Sequence, residues 1–153
     1  PIGGLTLNIS NATGNDYGTS AGEGMAYSGT YAIGDVATVG AGQMKNADDS
    51  EELLMNVKGS MGPIGVAWEK HTATTAADVD TDTTTMGATY TVGAMMVGVE
   101  TMKTESAGTV SSDEITLGAQ YTLAPGAVAF IENTADDKTS SEKTTAMGIA
   151  IKF

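Results

Sequence analysis

The chain has 153 residues, about one domain's worth, and its 19 acids against 7 basic residues leave a formal net charge of −12. With no cysteine, it excludes a disulfide-stapled scaffold, a cysteine-based zinc site and thiol chemistry. The phosphate backbone needs a basic footprint that this balance lacks, which argues against nucleic acid as a partner; all the basic residues are lysines, and a single histidine with no arginine argues against an enzyme.

No apolar stretch approaches the roughly 20 residues of a transmembrane helix; the strongest, Ala94–Val99, is far shorter. No basic-then-apolar targeting segment opens the chain, and Pro1 in place of an initiator Met is expected of a mature form or a fragment.

Taken in chain order, the apolar residues alternate with small or polar ones, and no window carries a 3.6-residue stripe. Ten strands are predicted, at about 3–11, 24–33, 36–44, 53–61, 64–71, 84–92, 95–103, 114–122, 127–133 and 144–153. The alternation is clear in Ile115, Leu117, Ala119, Tyr121 and Leu123, and again in Met147, Ile149, Ile151 and Phe153. Gly- and Pro-bearing connections such as Met61-Gly62-Pro63, Val92-Gly93-Ala94 and Ala124-Pro125-Gly126 are short, as hairpin turns require. They alternate with long acidic connections at about 12–23, 45–52, 72–83, 104–113 and 134–143. A tilted strand crosses a bilayer in about 9–11 residues, which these strands match.

Tyr31, Met61, Tyr90, Tyr121 and Phe153 precede the short turns or end the chain and recur every 29 to 32 residues. One hairpin per period places Tyr31, Tyr90, Tyr121 and Phe153 at one height on one face. Such a ring of aromatics is what a membrane interface selects. Most of the acids fall at the opposite end, so one rim is anionic and the other nearly uncharged. The predicted fold is all-β: an antiparallel up-and-down transmembrane β-barrel with about ten strands in residues 1–153.

With these residues assembled, the chain resembles a Gram-negative outer-membrane porin of the alphaproteobacterial type. The likeness is strongest over Gly118–Leu123, the Ala124-Pro125-Gly126 turn and the ending Ala146–Phe153, which look like the last strands of such porins. The resemblance implies an outer-membrane location, homotrimers, and contacts with lipid and lipopolysaccharide. It also implies that Met147, Ile149, Ile151 and Phe153 are the signal read by the barrel-assembly machinery. The short turns would face the periplasm. Porins of this type are 16-stranded and about twice as long, so the chain is expected to be either a small ten-stranded barrel or the C-terminal part of a larger one. Their usual row of arginines is missing, so no constriction is carried over.

Strand parity selects inward-facing charges. Lys58, Glu69, Glu100, Glu132 and Lys152 are predicted to line the lumen, with His71 among them, and Lys70 falls on the lipid parity. The parity of 127–133 is ambiguous, because Val128, Phe130 and Ile131 compete. Asp78, Asp80 and Asp82 have the spacing of a calcium loop but lack its glycine and distal glutamate. They are expected to bind Ca2+ loosely at most, as in bridges to lipopolysaccharide, and no cofactor is expected. The function that follows is passive diffusion of small hydrophilic solutes and ions with a weak cation preference. The alternatives are a non-conducting outer-membrane scaffold or adhesin that works through its acidic loops, and a soluble extracellular β-sandwich or repeat protein.

Overall fold

The computed structural model describes residues 4–12, 24–46, 49–137 and 143–152. Ten strands run through them: β1 (Leu5–Ala12), β2 (Gly24–Ile33), β3 (Ala37–Lys45), β4 (Glu51–Met61) and β5 (Ile64–Thr74), then β6 (Asp80–Val92), β7 (Met95–Ser106), β8 (Thr109–Ala124), β9 (Ala127–Asp136) and β10 (Lys143–Ile151). They form one antiparallel sheet in which every strand pairs with its neighbours in sequence. β1 and β10 are its two edges, and no ladder joins them.

All ten predicted strands are present, but several run further at their acidic ends. The expected connection at 72–83 contracts to 75–79, and that at 104–113 to Ala107 and Gly108 alone. The reason is cross-strand pairing of side chains whose local preference is for turns. Thr83 and Thr104 hydroxyls meet at 3.2 Å, Thr81 donates to Ser106 at 3.3 Å, and Ser112 donates to Asp136 at 3.2 Å. These bonds extend the ladder past the apolar positions. The two-residue β7–β8 turn has positive φ at both positions, 49° at Ala107 and 75° at Gly108, the backbone of a tight hairpin. The expected connections at 12–23 and 134–143 lie largely outside the described residues, with Asp16, Glu23 and Glu142. Asp48 is outside them too.

Direct partners in an antiparallel ladder share a face, so the register sorts every strand into two sets. The outer face carries Ile9, Tyr31, Val57, Val66, Met86, Val97, Leu117, Ile131 and Ile149, all among the exposed large hydrophobics. None of the described side chains is buried, so the sheet has no core of its own. The inner face carries glycines, threonines, serines and a set of charges. A bulge between Thr122 and Ala124 settles the ambiguous strand: Gln120 pairs with Phe130 and Gly118 with Glu132, so Ile131 points out and Val128, Phe130 and Glu132 point in. Not every apolar side chain is outward: Met44, Met96 and Met102 are inward, as is Leu54.

The short turns are stitched to the following hairpin. Ala32, Ser60, Thr91, Thr122 and Lys152 donate their backbone N–H to the carbonyls of Gly4, Val36, Pro63, Ala94 and Gly126, at 2.7–3.1 Å. Each hairpin therefore reaches about two residues beyond the last, or one per strand. With strands about 4.8 Å apart and a rise of about 3.4 Å per residue, this stagger corresponds to a tilt of about 35°, within the range of closed barrels.

Gly59 sits beneath this stitching, and a Cβ there would lie 2.9 Å from the Val36 carbonyl oxygen. Gly59→Ala should displace that carbonyl, weaken its bond to Ser60, and cost about 1–2 kcal/mol. Gly65→Ala meets only the rotatable Thr89 hydroxyl, at 2.7 Å, and should cost less. Urea midpoints of the two variants in lipid vesicles check the order.

Candidate permeation surface

The inner face is built from rows of residues that pair strand by strand. One row runs Lys58, Ala67, Gly87, Glu100, Thr116 and Thr134 from β4 to β9. The next, toward the short turns, runs Ser60, Gly65, Thr89, Gly98, Gly118 and Glu132. Toward the acidic rim comes Asn56, Glu69, Thr85, Met102, Glu114 and Asp136. Small residues dominate between the charges, which leaves them open to water.

Lys58, Glu69, Glu100 and Glu132 thus share one face, and all four are exposed. Among the described residues none of them makes an ion pair or side-chain hydrogen bond. Lys152 follows Ile151 at the end of β10, on the inward parity, with its N–H bonded to Gly126. Sequence parity missed Glu52 and Asp136, which fall in predicted connections, and Glu114, at the very start of a predicted strand; each belongs to a strand and to the inner face. Ser112, two residues before Glu114 on β8, donates to both Glu114 and Asp136, at 3.0 and 3.2 Å. His71 also lies inward, with Nε2 3.3 Å from a Glu52 carboxylate oxygen.

The lysines on the other face behave differently. Lys70 pairs with Asp82 at 3.1 Å, Lys103 with Glu105 at 2.6 Å, and Lys45 with Glu51 at 3.1 Å and Asp49 at 3.5 Å. They form a paired belt beyond the apolar positions of the outer face. At the far end of that belt, the Thr72 hydroxyl and then the Lys70 ammonium hold the Asp82 carboxyl below its ordinary value. At the end of β3, Glu51 and then Asp49 raise the Lys45 ammonium.

The three aspartates at the calcium-like spacing do not converge. Asp78 occupies the β5–β6 turn with φ 56°, Asp80 accepts from Thr74 at 2.7 Å, and Asp82 is committed to Thr72 and Lys70. Among the described residues no group of three potential ligands could hold a metal ion.

Tyr31, Tyr90 and Tyr121 all project from the outer face, each about half exposed. Tyr90 lies four residues beyond the row of Tyr31, reckoned over four strands, and Tyr121 two beyond the row of Tyr90, over two strands. Met147, Ile149 and Ile151 line the outer face of edge strand β10 and are strongly exposed. Phe153 lies outside the described residues.

No curated protein matches the chain. Solved structures match in fold. A porin refined at 1.8 Å resolution superposes with a TM-score of 0.83 over 100% of this chain and 59% of its own, at 20% identity. A triple mutant of Rhodopseudomonas blastica porin gives 0.78 over 100% and 53%, at 16% identity. Salmonella typhi OmpF in complex with daunomycin gives 0.80 over 98% and 57%, at 17% identity. The chain therefore spans between half and three fifths of the length of these porins. The Gram-negative porin family model matches residues 2–141, and with the up-and-down sheet, its apolar outer face and its charged inner face, this shows that the chain belongs to the Gram-negative porins.

Proposed function

We propose that the sheet is part of the wall of a water-filled pore that passes small hydrophilic solutes and ions by diffusion, with a weak preference for cations. The family's place is the bacterial outer membrane. The observation that carries the pore reading is that Lys58, Glu69, Glu100 and Glu132 stand on the inner face among small residues without a partner among the described residues, against the paired belt outside. Charges facing one another across a dry, filled tube would have to pair, because an unpaired charge without water is costly. Six acids (Glu52, Glu69, Glu100, Glu114, Glu132 and Asp136) share that face with Lys58 and Lys152. This surplus raises the local cation concentration.

Backbone groups at the edges must be paired inside lipid, so the open edges at β1 and β10 are read as joined by further strands of a larger barrel. At the inferred tilt, Tyr31, Tyr90 and Tyr121 come to one height, as an interfacial girdle does. Three further roles are carried over from the family as proposals: homotrimers, lipopolysaccharide at the acidic rim, and assembly-machinery recognition of β10 through Met147, Ile149 and Ile151. The reading is of a channel and not an enzyme.

The test is planar-bilayer conductance of the detergent-extracted protein under a potassium chloride gradient. Discrete current steps with a cation-signed reversal potential are expected. A silent membrane with insertion confirmed sinks the pore reading, and an anion-signed potential sinks the preference.

A further inference from the structure

The inner face between β5 and β9 holds a trough of about 450 Å³. Its floor is low because Gly65, Gly87, Gly98 and Gly118 bring no side chain to it, and only Thr89 stands among them, between Gly65 and Gly98. Its two sides differ in chemistry. Toward the short turns stands a shelf of Met96, Gln120 and Phe130, which pair in that order across β7, β8 and β9. Toward the acidic rim stands Glu100, with Glu132 at the β9 end of the floor.

The shelf is held in place. A Cβ on Gly148 would lie 3.1 Å from two carbons of the Phe130 ring, so the ring lies against bare backbone, the way an aromatic covers a cross-strand glycine. The Gln120 amide nitrogen is 3.9 Å from the Met96 sulfur. Both shelf ends are half-buried, whereas Glu100 and Glu132 are exposed and lack partners among the described residues. The Glu132 chain leans over the floor, with its Cγ 3.6 Å from where a Gly118 Cβ would be. Lys58 is the nearest inner-face lysine in this row, but Ala67 and Gly87 separate it from Glu100, a gap of about 14 Å at strand spacing.

We infer that this trough is a binding subsite for aryl-alkyl ammonium ions, monocations whose ammonium carries an aromatic group on a short linker. The inference rests on the pore reading, since it is water in the lumen that brings such ions to the wall. Same-face neighbours along a strand are about 7 Å apart. An aromatic group on the Met96–Phe130 shelf therefore places its ammonium over the glycine floor, within reach of both carboxylates. The apolar part gains ring and sulfur contacts, and the charge gains two acids that have no other partner among the described residues. A sugar, with hydroxyls all round, fits less well: it would lay polar groups against the Phe130 ring and the Met96 thioether. A small hydrophilic cation gains only the acids.

Two measurements separate this subsite from the pore reading. Equilibrium dialysis of phenethylammonium against the detergent-folded protein reports binding without needing conduction. Millimolar binding is expected, at least tenfold tighter than tetramethylammonium, phenethyl alcohol or glucose. Gly118→Leu, whose side chain fills the floor, should weaken it at least tenfold, and Glu132→Gln about threefold. In the bilayer, phenethylammonium should reduce the open-channel current over the same concentrations. Equal binding of phenethylammonium and tetramethylammonium, equal or tighter binding of glucose, or binding unmoved by both variants overturns the subsite. Current steps that persist in any of those cases leave the pore reading standing. Selective binding in a protein that carries no current upholds the subsite and removes the pore.

Discussion

Leu117→Lys is expected to lower the unfolding free energy of the membrane-inserted protein by about 2–4 kcal/mol, whereas Gly118→Lys, one residue along β8, should cost less than about 1 kcal/mol. The two positions lie on opposite faces. Leu117 projects outward, 55% exposed, midway along the run from Tyr121 to Asp113 and so near the middle of the apolar band. A lysine there must bury its ammonium in hydrocarbon or drag its stem to an interface. At Gly118 a new Cβ meets nothing closer than the Glu132 Cγ at 3.6 Å, and a lysine would reach water beside an acid. Urea unfolding in phospholipid vesicles measures both costs. Equal penalties would mean that the assignment of faces is wrong, whatever the family.

The second large effect is electrical. Reversing both Glu100 and Glu132 to lysine turns six inner acids against two lysines into four of each. The cation preference should vanish, and the reversal potential in a salt gradient should fall close to zero. Glu105→Lys changes the charge by the same amount per site, but Glu105 belongs to the outer belt beside Lys103. It should leave the reversal potential nearly unmoved. If the outer reversal acts as strongly as the inner pair, selectivity is set at the rim and not along the wall.

Much of this was legible in the sequence because an amphipathic strand writes its two faces as a period of two. Tyr90 and Leu117 could be placed outside, and Lys58 and Glu100 inside, from parity alone. What local pattern could not supply was anything decided by a partner strand. Thr81, Thr83 and Ser112 fall in predicted connections until Ser106 and Thr104 stand opposite the two threonines and Asp136 accepts diagonally from Ser112. Strand length at the acidic end, and with it the inward placement of Glu52, Glu114 and Asp136, followed from that pairing. Phe130 was ambiguous for a related reason. The bulge after Thr122 sets its parity, and the bare backbone of Gly148, a strand away, covers its ring. The inward parity of Gly87, Gly98 and Gly118 is legible in the sequence, but the trough they form is not, since they come from different strands and meet only in register.

The backbone bonds that stitch each short turn to the next hairpin carry a consequence for how the wall is made. Every ladder joins segments adjacent in the chain, and the widest residue pair in any ladder, such as Leu5 with Tyr31, closes only a short loop. Loop closure is then inexpensive at every step, and the wall can grow by addition, each finished hairpin offering its turn carbonyl as the template for the next. No hairpin contains instructions for the total number. The circumference is a counted quantity that changes in units of one hairpin, about 12 Å of perimeter at this tilt. Duplicating or deleting one repeat would resize the ring while every remaining seam kept its register.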